Sequence, residues 1–274
     1  MSAAPKPTEF AVITGASNGI GMELARLMAQ RGHNLILVAR SADKLQTLSK
    51  ALAAEHGVTV HALALDLAVP GAAQSLYDHC HQQGLAVNIL VNNAGFGDYK
   101  AVADANVNMY REMLQLNVVT LTELTCLFVK DFKRQGHGRI ANIGSTSAYQ
   151  PCPGLASYGA SKGYVMQFTE ALHAELQGSG VSATVINPGM TATGFVARAE
   201  MGGSALAQSG LGNAKDVARA VYDAMMAGEM NRVVGWVNTL WAQSTMLAGS
   251  RHLLVWVAKW RLRSIRTSQT ISAA

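Results

Sequence analysis

Thr14-Gly15-Ala16-Ser17-Asn18-Gly19-Ile20-Gly21 is the stretch that decides the fold of this chain. It follows a short apolar run, Phe10 to Thr14, and leads into a helical pattern from Gly19 to Arg31. Glycine leaves room for close backbone approach and adopts angles that other residues avoid. Glycines spaced Gly-x-x-x-Gly-x-Gly at a strand-to-helix turn therefore present backbone N–H groups at a helix start, where a dinucleotide pyrophosphate binds. Taken alone, the turn is equally a tight connection, and its spacing differs from the more familiar Gly-x-Gly-x-x-Gly. Its weight comes from its surroundings.

Working outward, Asn34 to Ala39, Val58 to Leu65, Ile89 to Val91, Ile140 to Ile143 and Ser182 to Ile186 read as further strands, apolar on both faces. Helical patterns lie between them: Asp43 to Glu55 with Ser41 as its cap, a segment opened by Pro70 and running through His81, Met109 to Lys133, and Ser157 to Leu176. Doubly apolar strands that alternate with helices indicate a parallel sheet covered on both sides. Right-handed crossovers then predict a doubly wound, Rossmann-type α/β fold of about seven strands. Asn213 to Ala227 is helical again, and Val233 to Trp236 reads as the seventh strand. The expected organisation is a disordered arm at 1–8 and one domain at 9–236 with a substrate loop near 190–213. A basic, tryptophan-rich extension follows at 237–274.

Of 274 residues, 49 % are hydrophobic and 14 % charged, a globular composition with ample material for a core. The first ten residues lack the apolar stretch of a signal peptide. Cys80, Cys126 and Cys152 are odd in number and widely spaced, which points to reduced thiols in a cytoplasmic protein. His79-Cys80-His81 invites a metal reading, but residues one and two apart on a helix do not share a face. It is read as a solvated helix end, and no metal site is expected.

The net charge of +5 is a property of the tail. Beyond Glu229 there is no acidic residue, but there are Arg232, Arg251, Lys259, Arg261, Arg263 and Arg266. Removing those six from 22 leaves 16 basic residues against 17 acidic ones. A nucleic-acid-binding body is not indicated.

In an NAD site, an acidic residue ending the second strand accepts hydrogen bonds from the ribose 2′-hydroxyl. Here that strand ends Val38-Ala39-Arg40-Ser41. An arginine in place of a carboxylate suits a 2′-phosphate, so NADP(H) is expected over NAD(H), with Ser41 as a second phosphate contact. The alternative for Arg40 is an ordinary surface residue. Asp66, before Leu67, is placed to accept from the adenine amino group or to cap the next helix.

Tyr158 and Lys162 lie four apart in a helical pattern and share a face. A free tyrosine titrates near about 10, too high for acid–base work at neutrality. A nearby ammonium favours the phenolate; lowering it by about two to three pH units needs about 3–4 kcal/mol. Tyr-x-x-x-Lys alone is common on helices, but behind the glycine turn it is specific.

With these motifs in order, the sequence resembles the short-chain dehydrogenase/reductase family, in its compact single-domain branch, over roughly Phe10 to Val234. Gly15, Ser17, Asn18, Gly19, Ile20 and Gly21 resemble its cofactor loop, and Asn92-Asn93-Ala94-Gly95 its motif after the fourth strand. Asn117 matches a helix asparagine that holds a relay water. Ser145, thirteen residues before Tyr158, matches the catalytic serine, with Ser147 as the fallback. Asn187-Pro188-Gly189, Thr191 and Thr193 resemble the segment that contacts the nicotinamide. Asn18 departs from the basic residue that many NADPH-preferring members carry there.

The resemblance implies a carbonyl reductase. Hydride reaches the carbonyl carbon while Tyr158 protonates its oxygen. Ser145 bonds that oxygen, and Lys162 grips the ribose and lowers the tyrosine pKa. Lys162 and the Asn117 water then return the proton. It also implies a homodimer or homotetramer. Phe96, Cys152, Met190, Phe195 and Met201 are candidate pocket residues, suited to an apolar ketone or a 3-oxoacyl-type substrate. The competing readings are an NAD-dependent alcohol dehydrogenase of the same family and a non-catalytic NADPH-binding regulator.

All four tryptophans, Trp236, Trp241, Trp256 and Trp260, lie in the tail or at its start. As a helix, it places Leu253, Trp256, Val257 and Trp260 on one face, with Arg251, Lys259, Arg263 and Arg266 largely opposite. Three readings stay open: packing over the cleft or a neighbouring subunit, peripheral membrane contact, and disorder.

Overall fold

Every side chain in Phe10-Ala11-Val12-Ile13 is buried, and alternate ones enter different cores. Ala11 and Ile13 face one layer, Phe10 and Val12 the other. Successive strand residues point to opposite faces, so this run forces both faces of its sheet to be covered. The same division recurs next door, where Leu35 and Leu37 join the first core, Ile36 and Val38 the second.

The computed structural model describes residues 8–191, 212–247, 250, 252 and 254–257. Its strands are β1 (Glu9–Thr14), β2 (Asn34–Ala39), β3 (Val60–Ala64), β4 (Ala86–Asn92), β5 (Gly138–Ile143), β6 (Val181–Asn187) and β7 (Asn231–Val233). They form one parallel sheet in the order β3-β2-β1-β4-β5-β6-β7. The helices are α1 (Gly19–Gln30), α2 (Ala42–His56), α3 (Ala72–Gln82), α4 (Val107–Leu114), α5 (Leu121–Gln135), α6 (Ala156–Glu175), α7 (Ala214–Ala227) and α8 (Trp236–Leu247). Helices α1, α2 and α7 cover one face through Leu24, Met28, Leu45, Leu52 and Val221; α3, α5 and α6 cover the other through Leu76, Phe128, Phe132 and Leu172. Burying each such side chain contributes about 1.5–3 kcal/mol before chain entropy is counted. This is the doubly wound fold that the alternation predicts. Strand order reverses between β1 and β4, so a crevice opens at their carboxyl ends.

Several boundaries differ from expectation. Helix α3 begins after Gly71, whose φ of 82° makes it a left-handed N-cap, so Pro70 lies outside the helix. Ser41 occupies the N-cap of α2 but makes no side-chain capping bond. The expected helix from Met109 to Lys133 is longer and not uniform: a π-helical turn, Gln115–Thr120, separates α4 from α5 and carries Asn117. Trp236 opens α8, and the last strand ends at Val233. Cys80 is buried in the core, while its neighbour His81 meets Asp131 at 3.0 Å, so that helix end is not simply solvated.

The run Val107–Gln135 has the length and mean hydropathy, 1.3, of a membrane-crossing helix. Its Leu121, Leu124, Phe128 and Phe132 are instead buried within this fold, which accounts for the composition.

The carboxyl ends of β4 and β5 are tied by a buried amide ladder. Asn92 Nδ2 donates to Asn142 Oδ1 (2.9 Å) and Thr125 Oγ1 (3.1 Å), and Asn142 Nδ2 donates to Thr169 Oγ1 (2.9 Å). Removing one partner strands the others without water. Asn142→Ala is expected to lower stability by about 1–3 kcal/mol, measured as the shift in a urea unfolding midpoint.

Candidate active site

The nucleotide end of the cleft is built where β1 and β4 end together. Thr14 Oγ1 donates to Val91 O (3.2 Å) and accepts from the backbone N–H groups of Asn93 (2.9 Å) and Ala94 (3.0 Å). In return, Asn93 Nδ2 donates to Thr14 O (2.8 Å) and Gly15 O (3.3 Å). Gly15 has φ 68° and lies so close that a Cβ there would stand 2.8 Å from Asn93 Nδ2. A Cβ on Gly21 would meet Gly15 O at 2.4 Å. The turn therefore folds against the start of α1 only because these positions have no side chain. Asn18 at the N-cap makes no side-chain capping bond, so it satisfies none of the leading N–H groups.

Gly15, Ser17, Asn18, Gly19 and Ile20 line one wall of a cleft of about 1280 Å³. Arg40, Ser41, Asp66 and Leu67 line its far end, and Asn93, Ala94 and Gly95 its floor. Arg40, Ser41 and Asp66 are exposed. Asp66 Oδ1 accepts from the Ala68 N–H at 3.0 Å, so the residue forms a turn as well as lining the cleft. Pro188, Gly189, Met190 and Thr191 border the other end. Thr191 is held by a hydrogen bond from Oγ1 to Gly189 O (3.0 Å) and a bridge to Gly212. Thr193, Phe195 and Met201 lie outside the described residues. An uncapped helix start beside two obligatory glycines fits a dinucleotide pyrophosphate.

The reacting end sits across the cleft. Ser145, just beyond β5, hydrogen-bonds the Tyr158 hydroxyl on α6, and Ser145 Oγ accepts from the Ser147 N–H (3.2 Å). Ser147 Oγ itself is buried and makes no hydrogen bond among the described residues. Lys162, one turn along α6 and buried, donates from Nζ to Ile143 O at 2.7 Å and lies 5.9 Å from the centre of the Tyr158 ring. Burial pushes Tyr158 up to about 12, against the pull of the Ser145 hydrogen bond, and lowers Lys162 to about 8. The phenol is thus raised and not lowered as expected, because desolvation disfavours both charged forms.

Asn117 is buried and braces this end. It accepts from the Phe96 N–H (3.2 Å) and donates to Phe96 O (2.9 Å) and Ser161 Oγ (3.2 Å). Ser161 Oγ in turn donates to Tyr158 O (2.7 Å), linking the π-helical turn to the helix that carries the tyrosine. Gly95 fits between, for a Cβ there would lie 3.0 Å from Asn117 Oδ1 and 3.6 Å from Lys162 Nζ.

Two further groups of residues shape the site, the second from the tail segment for which packing over the cleft is one of the open readings. Asn187, read only as part of the segment near the nicotinamide, accepts the Ser145 N–H on Oδ1 (3.0 Å). Its Nδ2 donates to Asn231 Oδ1 (3.0 Å) and Tyr149 Oη (3.3 Å), and Asn231 Nδ2 reaches Glu170 Oε1 (2.6 Å). A Cβ on Gly144 would fall 2.1 Å from Asn187 Oδ1, so the approach requires that glycine. The second group is α8, whose Val237, Asn238, Leu240, Trp241 and Ser244 form a cleft wall. Trp241 Nε1 donates to Gln150 Oε1 at 3.0 Å and pins that wall to the loop after Ser145. No spacing rule announces either set. The only cue in the sequence is that α8 is an uncharged segment directly behind the last strand.

Residues 9–202 match the short chain dehydrogenase family. The chain belongs to that family of oxidoreductases, which interconvert alcohols and carbonyls. It is 36 % identical over 190 residues to sulfoacetaldehyde reductase 2 of Chromohalobacter salexigens, covering 69 % of this chain and 75 % of that one. It is 30 % identical over 195 residues to the very-long-chain 3-oxoacyl-CoA reductase of Mus musculus. That match covers 69 % of this chain and 61 % of the mouse protein, less than two thirds of its length. A solved short-chain dehydrogenase from Sphingobium yanoikuyae in complex with NADPH superposes with a TM-score of 0.78 at 29 % identity, covering 89 % of this chain and 96 % of the other.

The Asn187 contact gives a direct test of how the serine is held. Asn187→Ala is expected to lower kcat about 10- to 100-fold through misplacement of Ser145, with KM little changed. Steady-state kinetics alongside a thermal melt separate this effect from unfolding.

Proposed function

We propose that this chain reduces the carbonyl of an apolar ketone or 3-oxoacyl-type substrate to an alcohol, with NADPH as the hydride source. The observation that carries the reading is the Ser145–Tyr158 hydroxyl pair, with Lys162 behind it, sharing one cleft with the glycine cradle.

Bound against that cradle, NADPH supplies the hydride. Gly15 to Ile20 and the start of α1 hold the pyrophosphate, and Arg40 with Ser41 holds the 2′-phosphate through charge-assisted hydrogen bonds. The absence of a carboxylate at the end of β2 supports NADPH over NADH, and so does the NADPH in the Sphingobium relative. Tyr158 Oη gives its proton to the carbonyl oxygen while Ser145 Oγ hydrogen-bonds the same oxygen and fixes the phenol. Lys162, titrating near 8, replaces the tyrosine proton. Asn117 keeps Phe96 and α6 in register.

The lining supports an apolar substrate. Phe96, Cys152, Leu155, Met190, Leu240 and Trp241 border the cleft, and burial pushes the Cys152 thiol up to about 11, so it stays neutral. Among the described residues, the cleft's basic side chains are Arg40, at the nucleotide end, and Lys162.

Three free thiols fit a reducing, cytoplasmic setting. Self-association has a face to use: Val107, Leu114, Val119 and Tyr164 are exposed on α4, the π-helical turn and α6, which adjoin. Tyr164→Glu is expected to shift the protein toward monomer in sedimentation velocity.

Tyr158→Phe is expected to lower kcat/KM for ketone reduction about 100- to 10,000-fold, read by NADPH oxidation; undiminished turnover would remove the tyrosine from the chemistry. Arg40→Asp should raise KM for NADPH about 10- to 100-fold, the loss of one charge-assisted bond, and leave KM for NADH similar or lower. Burial disfavours the ammonium, so Lys162 carries its proton below about 8 and loses it above. The reduction rate should therefore hold at neutral pH and fall as pH rises through about 8, measured at saturating NADPH.

A further inference from the structure

The first turns of helix α8 are apolar on the side that the core does not use, and Gln243 and Ser244 are exposed further along. Ala242 and Thr245 are buried, whereas Trp236 is 77 % exposed and Val237 and Leu240 are each 58 % exposed. Positions 236, 237 and 240 form one flank of the helix, since residues three and four apart are neighbours. Val237 and Leu240 also line the cleft, so the exposed flank continues into the site as its outer lip. The helix carries no charged residue. Val255 and Trp256, further along, are again exposed, at 40 % and 66 %.

The chemistry of the following sequence selects the occupant. Beyond α8 come Arg251, Lys259, Arg261, Arg263 and Arg266, with no acidic residue after Glu229. A lipid surface meets both features at once: acyl chains take tryptophan and aliphatic side chains, and anionic headgroups take the arginines.

We infer that the Trp236–Val237–Leu240 flank of α8 seats this protein on an anionic lipid surface, with the mouth of the cleft turned toward the bilayer. An apolar carbonyl compound dissolved in the membrane then reaches Tyr158 without crossing water. The docking is independent of the catalytic reading, because it is measured without turnover.

The test is co-sedimentation of the full chain with phosphatidylcholine vesicles, with and without phosphatidylglycerol, at low and high salt. Binding is expected to the anionic vesicles only, to weaken at high salt as charges are screened, and to shift tryptophan emission to the blue. Trp236 does not line the cleft, so Trp236→Ser should leave reduction of a water-soluble ketone unchanged and weaken vesicle binding about tenfold. Arg263→Glu with Arg266→Glu, later in the sequence than α8, should abolish the low-salt binding. Wild-type protein left in the supernatant with anionic vesicles would overturn the inference, as would Trp236→Ser sedimenting like wild type. A lipid-free dimer that Trp236→Ser dissolves would assign the flank to a second copy.

Discussion

The Thr14 hydroxyl holds the ends of β1 and β4 together, and the rest of the site hangs from that junction. It is one buried group with three backbone partners, and it sits where the strand order reverses. Parallel strands diverge at such a point because their crossovers leave on opposite faces. A side-chain bridge there fixes the width of the crevice. Asn93 closes the bridge from the other side and at the same time occupies the space that a side chain on Gly15 or Gly21 would need. The cofactor cradle and the sheet are therefore one construction, and neither can be moved alone.

Burial dominates at the reacting end. Tyr158 and Lys162 are both held away from water, which raises the phenol and lowers the amine. Desolvation sets the direction of both shifts, since it disfavours the phenolate and the ammonium alike. Family resemblance assigns the lysine the part of a positive charge that lowers the tyrosine pKa. The geometry assigns it first to Ile143 O, 2.7 Å away. Asn117 and Asn187 do comparable work on either side: each amide is saturated by backbone and side-chain partners, and each fixes a loop that touches the reacting pair.

Much of this was legible beforehand. The alternation of Phe10 to Ile13 specifies a sheet buried on both faces, and the helical patterns that follow leave little choice of architecture. Tyr158-x-x-x-Lys162 lies within one helix and the glycine turn within one short strand-to-helix connection, where spacing in sequence is spacing in space. Boundaries were less legible. Pro70 looks like a helix opener, yet the left-handed Gly71 comes between it and α3. The π-helical turn at Gln115–Thr120 leaves no mark in the apolar pattern, although it carries Asn117.

The sequence by itself determined the layered α/β fold, the cradle and the pair Tyr158 and Lys162, because each depends on local periodicity or on a side chain too large to fit. Only the tertiary structure decided which serine meets Tyr158, that Asn187 holds that serine, and that α8 walls the cleft. Those facts join residues 13, 42 and 91 positions apart, for Ser145 with Tyr158, Ser145 with Asn187, and Gln150 with Trp241. Contacts at such separations follow from how whole strands and helices stack. No property of either residue announces its partner until the sheet has placed both at one edge.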